Sequence, residues 1–159
     1  MIRLTLGAAL IALIAACSPN PAQPSSPAAS TDASEYRTAL TMKELMGRVI
    51  DNAADGVWLN QGWIIFASHT DELFPTTDEG WMRTSNAAVT LAEASNLLLL
   101  PGRPADDNRV WVDSAHMLYD AAMKAHEAAE ARDKEAFFKA GSDVYEACLK
   151  CHNRYIIGE

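Results

Sequence analysis

Near its C-terminal end the chain carries Cys148-Leu149-Lys150-Cys151-His152, and no other stretch restricts the fold so strongly. On a helix the two cysteines and the histidine of this C-x-x-C-H sequence stand at i, i+3 and i+4, so two thiols and an imidazole leave one face within a turn. That spacing is the attachment pattern of a c-type haem. Each thiol adds to a porphyrin vinyl group as a thioether, which leaves the adjacent imidazole beneath the iron as an axial ligand. Anchoring is thereby assigned to Cys148 and Cys151, and coordination to His152. A dithiol redox pair of the thioredoxin kind needs a preceding strand and a helix N-terminus to lower the thiol pKa, whereas this motif lies late in a helical pattern. A zinc site would use the same three residues plus a fourth ligand, and no second Cys or His pair stands at metal-ligand spacing.

The opposite end of the chain agrees with that reading. Met1-Ile2-Arg3 is a short cationic start, Leu4 to Ile14 is a predominantly apolar run, and Ile14-Ala15-Ala16-Cys17 closes it with small residues before a cysteine. This resembles a bacterial lipoprotein signal peptide, residues 1–16, with cleavage before Cys17 and lipid on its thiol; the run is too short to span a membrane. The other reading is an ordinary secretory signal in which Cys17 is incidental. Both export the chain, and bacterial c-haem is attached on the outer side of the inner membrane. Of three cysteines, one is then lipidated and two hold haem, so no disulfide is expected. Ser18, where inner-membrane lipoproteins carry Asp, favours the outer membrane by analogy.

Residues 17–33 are rich in Ser, Pro and Ala, with Pro19, Pro21, Pro24 and Pro27, and read as an extended, lipid-ended tether. Its sixteen residues from Ser18 reach roughly 50 Å at about 3.1 Å each. Residues 34–159 are long enough for one core and are expected to be one domain. Loss of residues 1–16 removes Arg3 and no acid, leaving 12 basic against 21 acidic residues and a formal charge of −9. Such a balance argues against nucleic acid as a partner. It suits a basic redox protein, or serves solubility alone.

The domain reads as helices throughout. Thr41-Met42-Lys43-Glu44 has the form of a capping box, so a first helix starts there with Met42, Leu45, Met46, Val49 and Ala53 on one face. From Asp55 to Phe74 no period holds, and the segment, with Trp58 and Trp63, reads as an irregular connection pinned by aromatics. Thr77 caps a second helix to about Leu100, with Trp81, Ala88, Leu91, Ser95 and Leu98 inward, ended by Pro101-Gly102. A third runs from about Asn108 to Arg132 on Trp111, Ala115, Leu118, Ala122, Ala125 and Ala129. A fourth, after Asp133, aligns Phe137, Gly141, Val144, Cys148 and Tyr155. Four amphipathic helices with short joints predict an all-α, antiparallel four-helix bundle with covalent haem on its C-terminal helix.

A bundle with C-x-x-C-H on the last helix resembles the class II c-type cytochromes, that is the cytochrome c-prime fold and its low-spin relatives. In class I cytochromes a methionine ligand follows the motif by many residues, and only Asn153 to Glu159 follow here. One position departs from the pattern: cytochromes c-prime usually carry Arg or Lys four residues after the ligating histidine, where this chain has Ile156. The low-spin relatives ligate iron with a methionine from the first helix, which here implies Met46 or Met42. Met46, one turn in, can project over a buried ring, whereas Met42 in the first turn points back past the helix end. Both can equally be gap-filling core methionines. In an up-down-up-down bundle Met42, Met46, His116 and Met117 share the motif's end, while Met82, Met123 and His126 lie at the other. His116 falls off the third helix's apolar stripe and is expected at the surface. Arg103, in the turn at the motif's end, is a candidate propionate partner or a solvent-facing loop residue.

Two haem functions follow. A six-coordinate iron makes a periplasmic one-electron carrier, with methionine raising the potential. An open distal site would bind nitric oxide or carbon monoxide. A haem-free lipoprotein interaction domain leaves C-x-x-C-H unexplained. No acid–base or nucleophile set is visible, so no enzyme is expected. The expected partners are a redox protein and, through the lipid alone, the membrane, with a homodimer left open.

Overall fold

The computed structural model describes residues 36–107 and 109–155, all within one unit spanning residues 34–159. Cys17, the tether and Ile156 lie outside the described residues.

The first helical stretch begins at α1 (Met42–Leu45), continues through a π-helical turn (Met46–Ile50) and ends as α2 (Asp51–Trp58). The capping box is formed: the Glu44 N–H donates to the Thr41 hydroxyl, and the Thr41 N–H donates to the Glu44 carboxylate at 3.0 Å. The Thr41 N–H, and after it the Thr41 hydroxyl, donate to the Glu44 carboxylate and hold it below its ordinary pKa. The π turn widens the ladder by one residue, so the inward face passes from Leu45 to Ile50, then to Ala54 and Val57. A regular 3.6-residue pattern therefore selects Val49, which is only half-buried, and misses Ile50.

The connection read as irregular is part helix and part hairpin. The helix persists to Trp58, and β1 (Trp63–Ile65) pairs antiparallel with β2 (Thr70–Glu72), Ile64 opposite Asp71. The expectation of a purely α domain is corrected to that extent. Periodicity could not reveal strands of three residues whose side chains are all exposed. The aromatic pinning is present: the Trp63 ring lies 5.1 Å from Phe74 and 5.3 Å from Phe138.

Thr77 caps α3 (Asp78–Ser95) by accepting from the Gly80 N–H, and a 3₁₀ turn (Asn96–Leu99) finishes it before Pro101. α4 (Arg109–Ala131) and α5 (Lys134–Tyr155) are joined by two residues. Arg132, at φ 55°, occupies the left-handed position of a Schellman cap. Its N–H donates to Ala129, and that of Asp133 to Ala128. The Asp133 side chain then accepts from the Ala136 N–H and starts α5.

Pairwise contacts show that neighbouring helices run in opposite senses. Trp58 Nε1 donates to the Gly141 carbonyl at 3.2 Å, and Trp111 Nε1 to that of Leu98 at 2.8 Å. Trp111, early in α4, meets Tyr155, the last residue of α5, at 5.0 Å. All inward residues expected on α3 and α4 are buried. Many are alanines, which lets α3, α4 and α5 approach closely. Larger side chains gather toward the two ends: Leu45, Leu91, Leu98 and Trp111 at one, Val57, Phe74, Trp81 and Phe137 at the other.

Gly56 marks the tightest approach of α2 to α3, because a Cβ there would stand 2.4 Å from the Ala87 Cβ. Gly56→Ala gains helix propensity of about 1 kcal/mol, while overpacking against a backbone-anchored methyl costs about 1–3 kcal/mol. Net destabilisation is expected, read as a lower midpoint in chemical unfolding at unchanged m-value. A rise in stability would show that α2 and α3 are less closely apposed.

Candidate functional site

The last three turns of α5 bring Cys148, Cys151 and His152, each half-buried, to the wall of one small apolar cavity of about 40 Å³. Leu98, Trp111 and Leu118 form its floor, and Met46 faces the motif from the first helical stretch. A second, more open cavity of about 360 Å³ adjoins it, with Gly47, Asp51, Trp58 and Tyr145 on its walls. Met46, Ile50, Cys148 and His152 border both. A flat apolar group inserted between the first helical stretch and α5 would therefore meet two thiols, an imidazole and a thioether.

Local structure accounts for the placement of Met46. Its carbonyl accepts from the Asp51 N–H five residues on, which makes Met46 the first residue of the π turn. Such turns are rare and cluster at functional sites. The Trp58–Gly141 bond fixes the register between the two helices. Met46 is twelve residues before Trp58 and His152 eleven after Gly141, so at about 1.5 Å per residue the two stand nearly level. Met42 falls about 6 Å farther along, past the motif. It packs half-buried against the surrounding core and borders neither cavity.

The other sequence candidates separate in space. His116 is exposed, as its position off the stripe predicts, and Met117 packs against the core. His126 hydrogen-bonds the Ser85 hydroxyl through Nδ1 at 2.8 Å, His69 stacks on Phe66 in the hairpin, and Met82 is exposed. Arg103 is half-buried in the α3–α4 turn, where its N–H donates to the Leu100 carbonyl, and it borders neither cavity.

Burial pushes both motif thiols above their ordinary pKa, and the nearby Cys151 adds to the effect at Cys148. Both are free rather than disulfide-linked. An activated dithiol needs the reverse, an environment that stabilises the thiolate. Among the described residues no group of three His, Cys, Asp or Glu side chains is arranged to hold a metal ion unaided.

Sequence reasoning missed what fastens the end of α5. Asp106, in the α3–α4 turn, accepts from the Tyr155 hydroxyl at 2.9 Å and from Arg154 Nη2 at 3.2 Å. Tyr155 is also held edge-on by Trp111, whose indole is fixed by its own bond to Leu98. The available signal was slight: acids in a turn, and a basic residue in the last turn of the helix that ends beside it. Trp58 and Gly47, on the walls of the larger cavity, were also not selected as site residues.

No protein-family model, curated protein or solved structure matches this chain.

The Asp106 contacts are exposed, so their loss should change global stability little. Their local effect should be larger. Asp106→Ala is expected to speed amide hydrogen exchange over residues 150–155 while leaving the turns around Val144 protected. Equal exchange in both segments would mean that the apolar contacts alone hold the end of α5.

Proposed function

We propose that this chain is a mono-haem c-type cytochrome, a one-electron carrier on the periplasmic side of a bacterial membrane, tethered by lipid on Cys17. One observation carries the reading: Cys148, Cys151 and His152 border one apolar cavity that Met46 also lines from the facing helix. The residues suit the group. Two free thiols would form the thioethers, and the imidazole next to them would hold the iron. Among the described residues no three His, Cys, Asp or Glu side chains are placed to hold a metal ion, and a porphyrin would bring most of the ligands of an iron at His152 with it.

Haem c supplies a one-electron iron couple when bound. The remaining roles belong to this chain. Cys148 and Cys151 would anchor the group, His152 and Met46 would hold its iron, and Ile50, Leu98, Trp111 and Leu118 would keep water from it. A thioether ligand and a dry surround both raise the reduction potential. Packing around the cavity by helices on both sides limits rearrangement between oxidation states. The acidic surface favours association with a basic redox protein and makes that association sensitive to salt. With its helical packing, this reading places the chain beside the low-spin relatives within the class II cytochromes, and it assigns Met46 rather than Met42.

Protein matured with a c-haem assembly system should retain haem through acid-acetone extraction, and Cys148→Ala or Cys151→Ala should leave one thioether at most. Ferric protein should show the weak far-red sulfur-to-iron band, and ferrous protein should bind carbon monoxide slowly or not at all. Met46→Ala should abolish the band, lower the potential and admit carbon monoxide, with Met42→Ala nearly silent. Extractable haem would overturn covalent attachment. A high-spin wild type that binds carbon monoxide at once would make the chain a gas binder.

A further inference from the structure

The end of the domain away from the cysteine motif displays an apolar tip. In the β1–β2 hairpin Ile65 is 81% exposed, and Trp63, Ile64 and Phe66 are each close to half exposed. This is an ordered feature. The Leu73 N–H donates to the Gly62 carbonyl at the base of the hairpin, and the Phe66 N–H donates to that of His69 at its tip. Trp63 is clamped between Phe74 and Phe138, and Lys134 pairs with Glu72. An isolated two-stranded hairpin is marginal in water, so these contacts hold four large apolar side chains in a fixed place facing solvent. Large apolar side chains exposed together at one hairpin tip mark a contact surface.

We propose that the hairpin is a membrane-contact element that seats Ile64, Ile65 and Phe66 in the boundary between headgroups and acyl chains of a zwitterionic bilayer. The length and entry point of the preceding chain argue for that occupant, resting on the reading of Cys17 as lipid anchor. The chain enters the domain beside Met42, at the motif's end, whereas the hairpin packs on Lys134 and Phe138 at the start of α5. α5 has 22 residues and is about 33 Å long. A tether of roughly 50 Å can run that length and return the hairpin to the bilayer. The Cys148–His152 end then faces away from the membrane, open to a soluble redox partner.

The chemistry of the patch agrees. Lys134 and Arg132, beside the hairpin, are engaged by Glu72 and Asp78, so attraction to anionic lipid or to an acidic protein is not what the surface offers. A formal charge of −8 disfavours stacking a second copy on it. Aromatic and aliphatic side chains on a short exposed ribbon suit the interfacial zone. A tethered domain also needs only a weak contact, because the anchor keeps its local concentration high.

The test is flotation of the haem-loaded full-length chain with phosphatidylcholine vesicles, using Cys17→Ser to remove the anchor. This form should partition measurably, insensitively to 1 M salt, and Ile65→Asp should weaken partitioning about tenfold or more. Ile65→Leu should retain it, and circular dichroism should be unchanged in both, since Ile65 packs against little. No partitioning, or equal partitioning of Ile65→Asp, overturns the proposal even if the wild type is membrane-bound through Cys17. Self-association that depends on Ile65 without lipid binding overturns it in favour of a second copy. Ile65-dependent partitioning alongside a wild type that carries no acyl mass supports the hairpin contact and removes only the anchor.

Discussion

Antiparallel packing of the first helical stretch on α5 is the constraint on which the rest of the site depends. Three of the side chains at issue belong to α5 and sit together by helix geometry alone. The fourth, Met46, is about a hundred residues away in sequence, and only the register between the two helices brings it opposite. That register is held by the Trp58 bond to Gly141, while the close approach of Gly56 to Ala87 seats the same stretch on α3 and the π turn begins at Met46 itself. A slip of one helical turn, about 5.4 Å, would substitute Met42 for Met46.

The distribution of side-chain size along the domain has a functional sense. Alanines such as Ala88, Ala122, Ala125 and Ala140 let α3, α4 and α5 pack tightly through the middle. Near Cys148 the first helical stretch stands off from α5, and space remains on both sides of Met46. The haem proposal rests on that apolar-walled space beside two thiols and an imidazole. The α3–α4 turn contributes at the same end, since Asp106 and Trp111 hold Tyr155 and thereby the turn that carries His152.

Much of this was legible in the sequence because it is local. The capping box at Thr41, the Thr77 cap, the stripes on α3 and α4 and the start of α5 after Asp133 all obey short-range rules, and the structure follows them. What was not legible depends on contacts made across the fold. The hairpin is too short and too exposed to show a period, and the inward turn of Ile50 depends on one extra residue in the π turn that no pattern marks. Asp106 is an unremarkable turn acid until Arg154 and Tyr155 arrive beside it from 48 residues or more along the chain. Choosing between Met42 and Met46 was likewise a question of register, which propensity cannot answer.

X-ray absorption at the iron edge of the c-haem-matured protein tests the central claim most directly. The account predicts one iron per chain with a first shell of five nitrogens and one sulfur, and replacement of that sulfur in Met46→Ala but not in Met42→Ala. A shell without sulfur in the wild-type protein, or a chain that emerges from maturation without iron, would contradict it.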